Sequence, residues 1–139
     1  MLGCACIYVV SDIISNSMSP RDKPLVWLRG EVKTPPFGPD ARVEAGFLLR
    51  RLQRGDGIGL PHSRPMPDIG PGCHELRIVD GPVNWRIMHH IAQDVIVILD
   101  VFPKKTAATP KSVIAECRKR LGRFQRVVKD QEGASRARR

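Results

Sequence analysis

The stretch Gly72–Lys105, GCHELRIVDGPVNWRIMHHIAQDVIVILDVFPKK, decides the fold. It predicts three consecutive β-strands, separated by turn residues at Asp80-Gly81-Pro82 and Ala92-Gln93-Asp94. The predicted strands are Cys73–Val79, Asn84–Ile91 and Asp94–Phe102. Connections this short predict antiparallel neighbours, because a parallel crossover needs roughly a dozen residues or more. The third strand is almost wholly apolar, which is typical of a central strand covered on both faces.

The same stretch also carries cations at its strands and strand ends. Arg77 lies on the first predicted strand, Arg86 on the second, and Lys104 and Lys105 follow the third. A meander that brings several cations together is a platform for a phosphate backbone. Glu75 alternates in phase with Arg77, so the simpler interpretation of that pair is a surface salt bridge of little energetic value.

Before the meander, the sequence predicts a strand at Pro24–Lys33 and then a helix. The helix opens at Gly38-Pro39-Asp40 and ends at Gly55, since Pro suits the first helical position and Gly the C-terminal cap. Its apolar stripe is predicted to consist of Val43, Phe47, Leu48 and Leu52.

Residues 57–72 are rich in Gly and Pro and predict a loop without a central strand. Leu60, Met66 and Ile69 are expected to attach this loop to the core, leaving His62 and Arg64 exposed near the start of the meander. After the meander, Thr109 is expected to cap a final helix whose first residue is Pro110. The apolar stripe of that helix consists of Val113, Ile114, Cys117, Leu121, Phe124 and Val128, and its remaining surface is basic.

The order β, α, long loop, β, β, β, α predicts an α+β domain with a mostly antiparallel sheet and helices packed against it. We expect one domain at residues 18–129. Residues 1–17 contain one charge, Asp12, and are either an extra edge strand through Ile7–Val10 or a stretch upstream of a true start at Met18. Residues 130–139 are polar and predicted to be a disordered basic tail.

Charge is the main compositional signal. The chain has 23 Lys plus Arg against 14 Asp plus Glu, a formal net charge of +9. This balance favours a polyanionic partner such as RNA, DNA, the ribosome or an acidic protein, although a basic surface kept for solubility gives the same totals. Aromatic residues are only 5%, so an aromatic sheet for stacking single-stranded bases is not expected.

The four cysteines, Cys4, Cys6, Cys73 and Cys117, match neither a zinc pattern nor a small disulfide framework. They predict reduced thiols in a cytoplasmic protein. No apolar run reaches the roughly 18 residues needed to span a membrane, and the N-terminus lacks the basic region of a signal peptide. We expect no metal or other cofactor, because Cys73 and the nearby histidines have no fixed ligand spacing.

Several segments together resemble the RelE/HigB toxin superfamily, and within it a branch of phage-derived-like toxins. The resemblance is carried by KPLVWLRGEVKTPP, FLLRRLQRGD, LPHSRPMPDIGPGCHELRI, NWRI and VFPKKTAATPKSVI, in order from about Lys23 to Val128. It implies the toxin of a bacterial type II toxin–antitoxin module that cuts mRNA in the ribosomal A site without a metal. It also implies a cognate antitoxin, often a helix-turn-helix protein, and contact with DNA only through the complex with that antitoxin.

The resemblance further implies that Arg77, Arg86, Lys104 and Lys105 belong to the active site. Preorganised cations stabilise the charge of a phosphorane, and crowded cations lower the pKa of a neighbouring lysine. His90 is added as a candidate catalytic residue, since its parity on the strand matches that of Arg86. The candidate RNA-binding residues are His74, Arg64, Arg118 and Lys119.

The chain departs from the superfamily at one point. Several of its nucleases use a Tyr or His near the C-terminus, and neither residue type follows His90 here. Two alternatives therefore remain beside the endoribonuclease. One is a toxin of the same fold that acts by binding, as the gyrase-poisoning relatives do. The other is a decayed toxin retained for its antitoxin.

Overall fold

The computed structural model describes residues 7–9, 22–28, 32 and 35–137. Its strands are β1 (Ile7–Val9), β2 (Leu25–Leu28), β3 (Ser63–Pro65), β4 (Cys73–Asp80), β5 (Val83–Ile91) and β6 (Ile96–Pro103), and its helices are α1 (Pro39–Gln53) and α2 (Lys111–Ala137). The strands form one sheet in the order β1-β2-β6-β5-β4-β3. The β2–β6 pair is parallel and the other pairs are antiparallel, so the predicted α+β class with a mostly antiparallel sheet is confirmed.

The predicted meander is present as β4, β5 and β6, with strand ends shifted by one or two residues. β6 lies between β2 and β5, and its residues Ile96–Leu99 are fully buried. The continuous apolar run therefore marked a central strand correctly. The parallel pairing of β6 with β2 was not predicted, because α1, β3 and the rest of the meander separate these two strands in the sequence.

A tight turn fixes the register of the first hairpin. Only Gly81 and Pro82 separate the paired residues Asp80 and Val83, and Gly81 adopts the left-handed backbone conformation with φ 60°. Counting back from this turn places Arg77 directly opposite Arg86. Residues paired in this way point to the same face of the sheet, so these two arginines share a face.

The two helices cover opposite faces of the sheet. On the α1 side, the Trp85 indole donates to Asp80 Oδ2 at 3.3 Å, and the ring of Phe37, just before α1, packs edge-on against Trp85. On the α2 side, Arg120 forms an ion pair with Asp100 at 3.4 Å. Asp100 pairs with Met88, which has the strand parity of Arg86, so the two arginines of the hairpin lie on the α2 side.

The start of α1 is fixed by a close approach of backbone to side chain. Gly38 donates its N–H to Asp80 Oδ2 at 2.9 Å, and a Cβ atom at this position would come within 2.7 Å of Asp80 Oδ1. The predicted apolar stripe of α1 is partly wrong. Leu48 and Leu52 are buried as expected, but Val43 and Phe47 are exposed. The rest of the buried hydrophobic face is made by Ala41, Ala45 and Leu49.

The loop before the meander contains a short strand that the sequence did not predict. β3 pairs with the outer side of β4, an edge position that tolerates Pro65. Met66 and Ile69 are buried as expected, whereas Leu60 is exposed, so the prediction that it attaches the loop to the core was wrong.

The stripe of α2 is confirmed, with Cys117, Leu121 and Phe124 buried. The structure continues α2 to Ala137, through most of the tail predicted to be disordered. At the other end of the chain, Ile7–Val9 pairs with β2 as an edge strand, one of the two alternatives stated above. Apart from β1, residues 1–17 lie outside the described residues. Of the first predicted strand, Pro24–Lys33, the structure shows Leu25–Leu28 as β2, and residues 29–31 and 33 lie outside the described residues.

Candidate functional site

Glu75 is a fully buried carboxylate in the middle of β4. The Arg77 Nε–H donates to its Oε1 at 3.3 Å, and Arg86 Nε lies 3.3 Å from the same oxygen. The Thr109 hydroxyl donates to the other carboxylate oxygen, Oε2, at 3.2 Å. Burying an ion costs several kcal/mol unless partners compensate, and these contacts supply two positive charges and two hydrogen bonds.

The hairpin register explains why the two arginines need Glu75. Arg77 and Arg86 stand directly opposite each other, an arrangement that is destabilising for like charges on neighbouring strands. Glu75 lies two residues from Arg77 on the same face and contacts both guanidinium groups through one oxygen. The carboxylate therefore reduces the repulsion within the pair and fixes where each arginine points.

Lys104 joins this group from the end of β6. Its backbone N–H donates to the carbonyl of Asn84 at 2.7 Å, which anchors the residue beside β5. Burial lowers the pKa of Lys104, and the positive charges of Arg86, Arg77 and Arg64 lower it further, whereas Glu75 opposes this shift. We call Arg64, Arg77, Arg86 and Lys104 the cationic cluster.

Arg64 enters the cluster from β3, where it pairs with Glu75 across the sheet. β3 was not predicted, so the sequence alone could place Arg64 only near the start of the meander. Pairing of the edge strand β3 with β4 places Arg64 on the same face of the sheet as Glu75.

Arg86 is the more enclosed of the two hairpin arginines. Its side chain is 13% exposed, against 30% for Arg77. Arg86 Nη1 donates to the carbonyl of Trp85 at 3.1 Å, and its buried Nε has no aligned hydrogen bond despite the ion pair with Glu75. Burial lowers the pKa of Arg86, with Glu75 opposing and Arg77 adding to this shift. Arg86 thus offers a partly desolvated guanidinium held against a fixed counterion.

A shallow pocket of about 350 Å³ adjoins the cluster at the hairpin end. Its lining is formed by Pro82, Val83, Asn84, Trp85, Pro103, Lys104 and Lys105. Lys105 is exposed at the rim of this pocket, next to the cluster. Lys104 and Lys105 therefore both line this pocket beside the cluster, and only Lys104 is partly buried.

The predicted histidines are not part of the cluster. His90 shares a face with Arg86, but the two residues are four positions apart along β5, a distance of roughly 13 Å. His90 Nδ1 instead lies 3.6 Å from Cys73 Sγ, and burial lowers the pKa of His90. His74 points to the other face, where its ring stacks on His89 with 5.9 Å between centroids.

The two predicted RNA-binding residues of α2 also lie apart from the cluster. Arg118 Nε donates to the carbonyl of Asp68, which ties the middle of the helix to the loop before β4. Lys119 is exposed at the next position along the same helix. Both residues add positive charge to the α2 surface without contacting Glu75 or its partners.

Two residues of the site were missed or misinterpreted from the sequence. Glu75 was expected to form a surface salt bridge but is buried, and the contact of Thr109 with Glu75 was not predicted. The two-residue turn could have revealed Glu75, because it forces Arg77 and Arg86 together and so demands a counterion on that face. No comparable signal identifies Thr109, whose contact with Glu75 depends on how the β6–α2 connection folds back.

His89 provides a prediction about stability. Its side chain is fully buried, and burial lowers its pKa to about 4. The hydrogen bond that its ring N–H donates to the carbonyl of Ile87 opposes this lowering of the pKa. Because the unfolded chain takes up this proton near pH 6.5, stability is intact above that pH and falls between pH 6.5 and 4, by about 3 kcal/mol. His89→Phe is expected to flatten the pH dependence in this window, measured by urea unfolding at several pH values. An unchanged slope in His89→Phe would assign the pH dependence to other groups.

Among the described residues, no group of three or more His, Cys, Asp or Glu side chains is placed to hold a metal ion. The two described thiols are free, and burial raises the pKa of Cys73 to about 11 and that of Cys117 to about 12. Neither thiol is therefore an activated nucleophile.

None of the described helices has the length and apolar character needed to cross a membrane.

Comparison with known protein families gives a match over most of the described chain. Residues 36–122, more than half of the chain, match the family model described as Phage derived protein Gp49-like (DUF891). The matched region runs from just before α1 into α2 and contains the whole cationic cluster. Neither the curated proteins nor the solved structures contain a significant match.

Proposed function

The chain belongs to the phage-derived Gp49-like family, which is associated with toxin–antitoxin systems, and we propose that it is a type II toxin that cleaves mRNA on the ribosome. The observation that carries this proposal is the cationic cluster assembled around the buried Glu75. The resemblance of several segments to the RelE/HigB superfamily supports the same reaction.

The cluster suits metal-independent cleavage by the 2′-hydroxyl of the RNA. In that reaction the 2′-hydroxyl gives up its proton and attacks the adjacent phosphorus to form a pentacovalent phosphorane. The bond from phosphorus to the 5′-oxygen then breaks, the 5′-oxygen takes up a proton, and a 2′,3′-cyclic phosphate remains. Arg77 and Arg86 are proposed to hold the non-bridging phosphate oxygens, because a guanidinium matches them bidentately and strengthens its contacts as negative charge develops. Glu75 keeps both arginines in place before substrate arrives.

Lys104 is the proposed proton-transfer group. Because its pKa is lowered, the neutral amine of Lys104 forms at a pH closer to neutral than the amine of an ordinary lysine does. Lys105, exposed beside it, is proposed to contact the RNA backbone. This assignment replaces the histidine of other nucleases with a lysine, since His90 and His74 lie away from the cluster.

The proposed partners are mRNA in the A site of a cytoplasmic ribosome and a cognate antitoxin. A formal net charge of +9 favours association with ribosomal RNA. Most of the favourable binding free energy would come from phosphate contacts that do not depend on the RNA sequence. An antitoxin of the helix-turn-helix type would bring the complex to DNA, so that the toxin touches the operator only through its partner.

The proposal is tested by adding the purified chain to a translation reaction and mapping the 5′ ends of the mRNA. We expect cuts in phase with the reading frame, and intact mRNA when ribosomes are omitted. Frame-independent cutting of free mRNA would contradict ribosome dependence. Growth arrest without any cleavage would contradict the nuclease.

A variant of Lys104 tests the proton-transfer role. Lys104→Ala is expected to lower the cleavage rate on the order of 10²-fold, the usual contribution of a general acid or base. The matched control is Lys129→Ala, which removes the same charge from an exposed position on α2. Equal cleavage rates of the two variants in the translation assay would exclude Lys104 as the acid or base.

A binding toxin of the same fold is the second candidate. The observation that favours it is that the cationic cluster, as the described residues form it, consists of three arginines and one lysine, with no histidine or tyrosine. Such a cluster can hold a phosphate backbone without cutting it, and the mapping of mRNA ends separates the two candidates.

A further inference from the structure

The connection between β6 and α2 is attached to the meander at two points. At its start the backbone N–H of Lys104 donates to the carbonyl of Asn84 at 2.7 Å. Near its end the Thr109 hydroxyl donates to Glu75 Oε2 at 3.2 Å. Lys104 and Thr109 are half-buried, whereas residues 105–108 between them are exposed. The contact of Thr109 with Glu75 therefore sets where the second end of this exposed segment lies.

The hydroxyl proton of Thr109 serves Glu75 rather than the helix that follows. A helix cap accepts a hydrogen bond from a backbone N–H, whereas this hydroxyl donates one. α2 begins with the carbonyl of Pro110, which accepts from the backbone N–H groups of Val113 and Ile114. The bond between Thr109 and Glu75 is thus a feature of the site, and the first turn of α2 is closed by other groups.

The two carboxylate oxygens of Glu75 have different partners. Oε1 lies 3.3 Å from Nε of both Arg77 and Arg86, and Oε2 accepts from Thr109. The terminal torsion of a glutamate is soft, so a carboxylate that is held at one oxygen can rotate. Because Glu75 is fully buried, bulk solvent cannot replace the hydroxyl as a donor. Thr109 therefore fixes the plane of the carboxylate on which both arginines are aligned.

α2 is held on the sheet by contacts that do not involve Thr109. Arg120 forms the ion pair with Asp100 at 3.4 Å, and the side chains of Cys117, Leu121 and Phe124 are buried. Loss of the Thr109 hydroxyl should accordingly leave the helix in place. What changes is the orientation of the buried carboxylate and of the guanidinium groups aligned on it.

We propose that Thr109 is a positioning residue of the cationic cluster, which acts on RNA cleavage by holding Glu75 and, through it, Arg77 and Arg86. The inference rests on the proposed function for the reaction that these arginines serve. Preorganised donors must point at the place where charge develops in the transition state. A rotation of Glu75 should therefore slow the chemical step more than it weakens RNA binding, to which many other cations contribute.

The first test measures cleavage in the translation assay. Thr109→Val keeps the shape of the side chain but removes the donor, and should lower kcat on the order of 10-fold with KM within about 3-fold of its original value. Thr109→Ser keeps the donor and should retain kcat within about 3-fold. The matched control is Thr106→Val, because the exposed hydroxyl of Thr106 donates within the same connection, to the carbonyl of Ala108 at 2.7 Å. This control should cleave at the original rate.

A double variant shows whether Thr109 acts through the arginines. In the Arg86→Ala chain, Thr109→Val should lower kcat by less than about 3-fold, because the effects of residues in one network do not add. Two independent losses would multiply instead. Circular dichroism checks that each variant is folded at the temperature of the assay.

Nuclear magnetic resonance gives a readout that does not depend on cleavage. The Nε–H signals of Arg77 and Arg86 should shift in Thr109→Val and keep their positions in Thr109→Ser and Thr106→Val. The inference would be overturned by unchanged arginine signals or an unchanged kcat in Thr109→Val, by a Thr109→Ser chain as slow as Thr109→Val, or by losses that multiply in the double variant. If the original chain cleaves no mRNA, the proposed function fails, and the arginine signals alone decide whether Thr109 positions the pair.

Discussion

Replacement of Arg86 by alanine is expected to lower the rate of mRNA cleavage on the order of 10²–10³-fold, the usual loss for one preorganised donor. The reason is geometric, because the Arg86 guanidinium is partly desolvated and held against Glu75 before the substrate binds. Ribosome binding should fall much less, since many other Lys and Arg residues share the phosphate contacts. Cleavage rates and ribosome co-sedimentation are measured on the same samples.

Two further variants separate charge from geometry. Arg126→Ala removes the same charge from an exposed position on α2 and should leave cleavage near its original rate. Arg86→Lys keeps the charge but loses the planar fork that grips two oxygens, so its rate should lie between those of the original chain and Arg86→Ala. Circular dichroism checks that each variant is folded. A folded Arg86→Ala chain with undiminished cleavage would remove Arg86 from the active site.

The meander could be predicted from the sequence because its signals are local. Short turns dictate antiparallel neighbours, and the uninterrupted apolar run of β6 marks a central strand. The resemblance to the RelE/HigB superfamily, rather than the turn residues, placed Arg77, Arg86 and Lys104 in the predicted site.

The remaining features depend on contacts between distant parts of the chain. Val43 and Phe47 have the right period for a buried stripe, but the approach of Gly38 to Asp80 orients α1 so that small alanines face the sheet. Glu75 could not be distinguished from a surface acid by its own sequence neighbours. Its burial arises because β3, β5 and the connection to α2 close around it from three directions.

Loss of the Glu75 charge should have the largest effect on stability. Glu75→Gln keeps the shape of the side chain but leaves Arg77 and Arg86 opposite each other without a counterion. Removing one partner of a buried ion pair costs about 3–5 kcal/mol, and we expect the lower end because both arginines retain some access to solvent. This loss corresponds to a melting temperature lower by about 10 °C for a domain of this size. Urea unfolding of the original chain and Glu75→Gln measures it directly.

A double variant shows whether Glu75 serves the fold or the site. Glu75→Met/Arg86→Met removes the buried pair together, and replacing such a pair by apolar side chains of similar volume is often neutral or stabilising. Arg77, the more exposed arginine, can then turn toward water. We therefore expect the double variant to regain most of the stability lost in Glu75→Gln while its cleavage remains on the order of 10²-fold or more below the original rate. That result would mean that the chain keeps a costly buried carboxylate to hold its arginines in position for RNA. A double variant as unstable as Glu75→Gln would instead make Glu75 part of the structural core, with no separate role in the site.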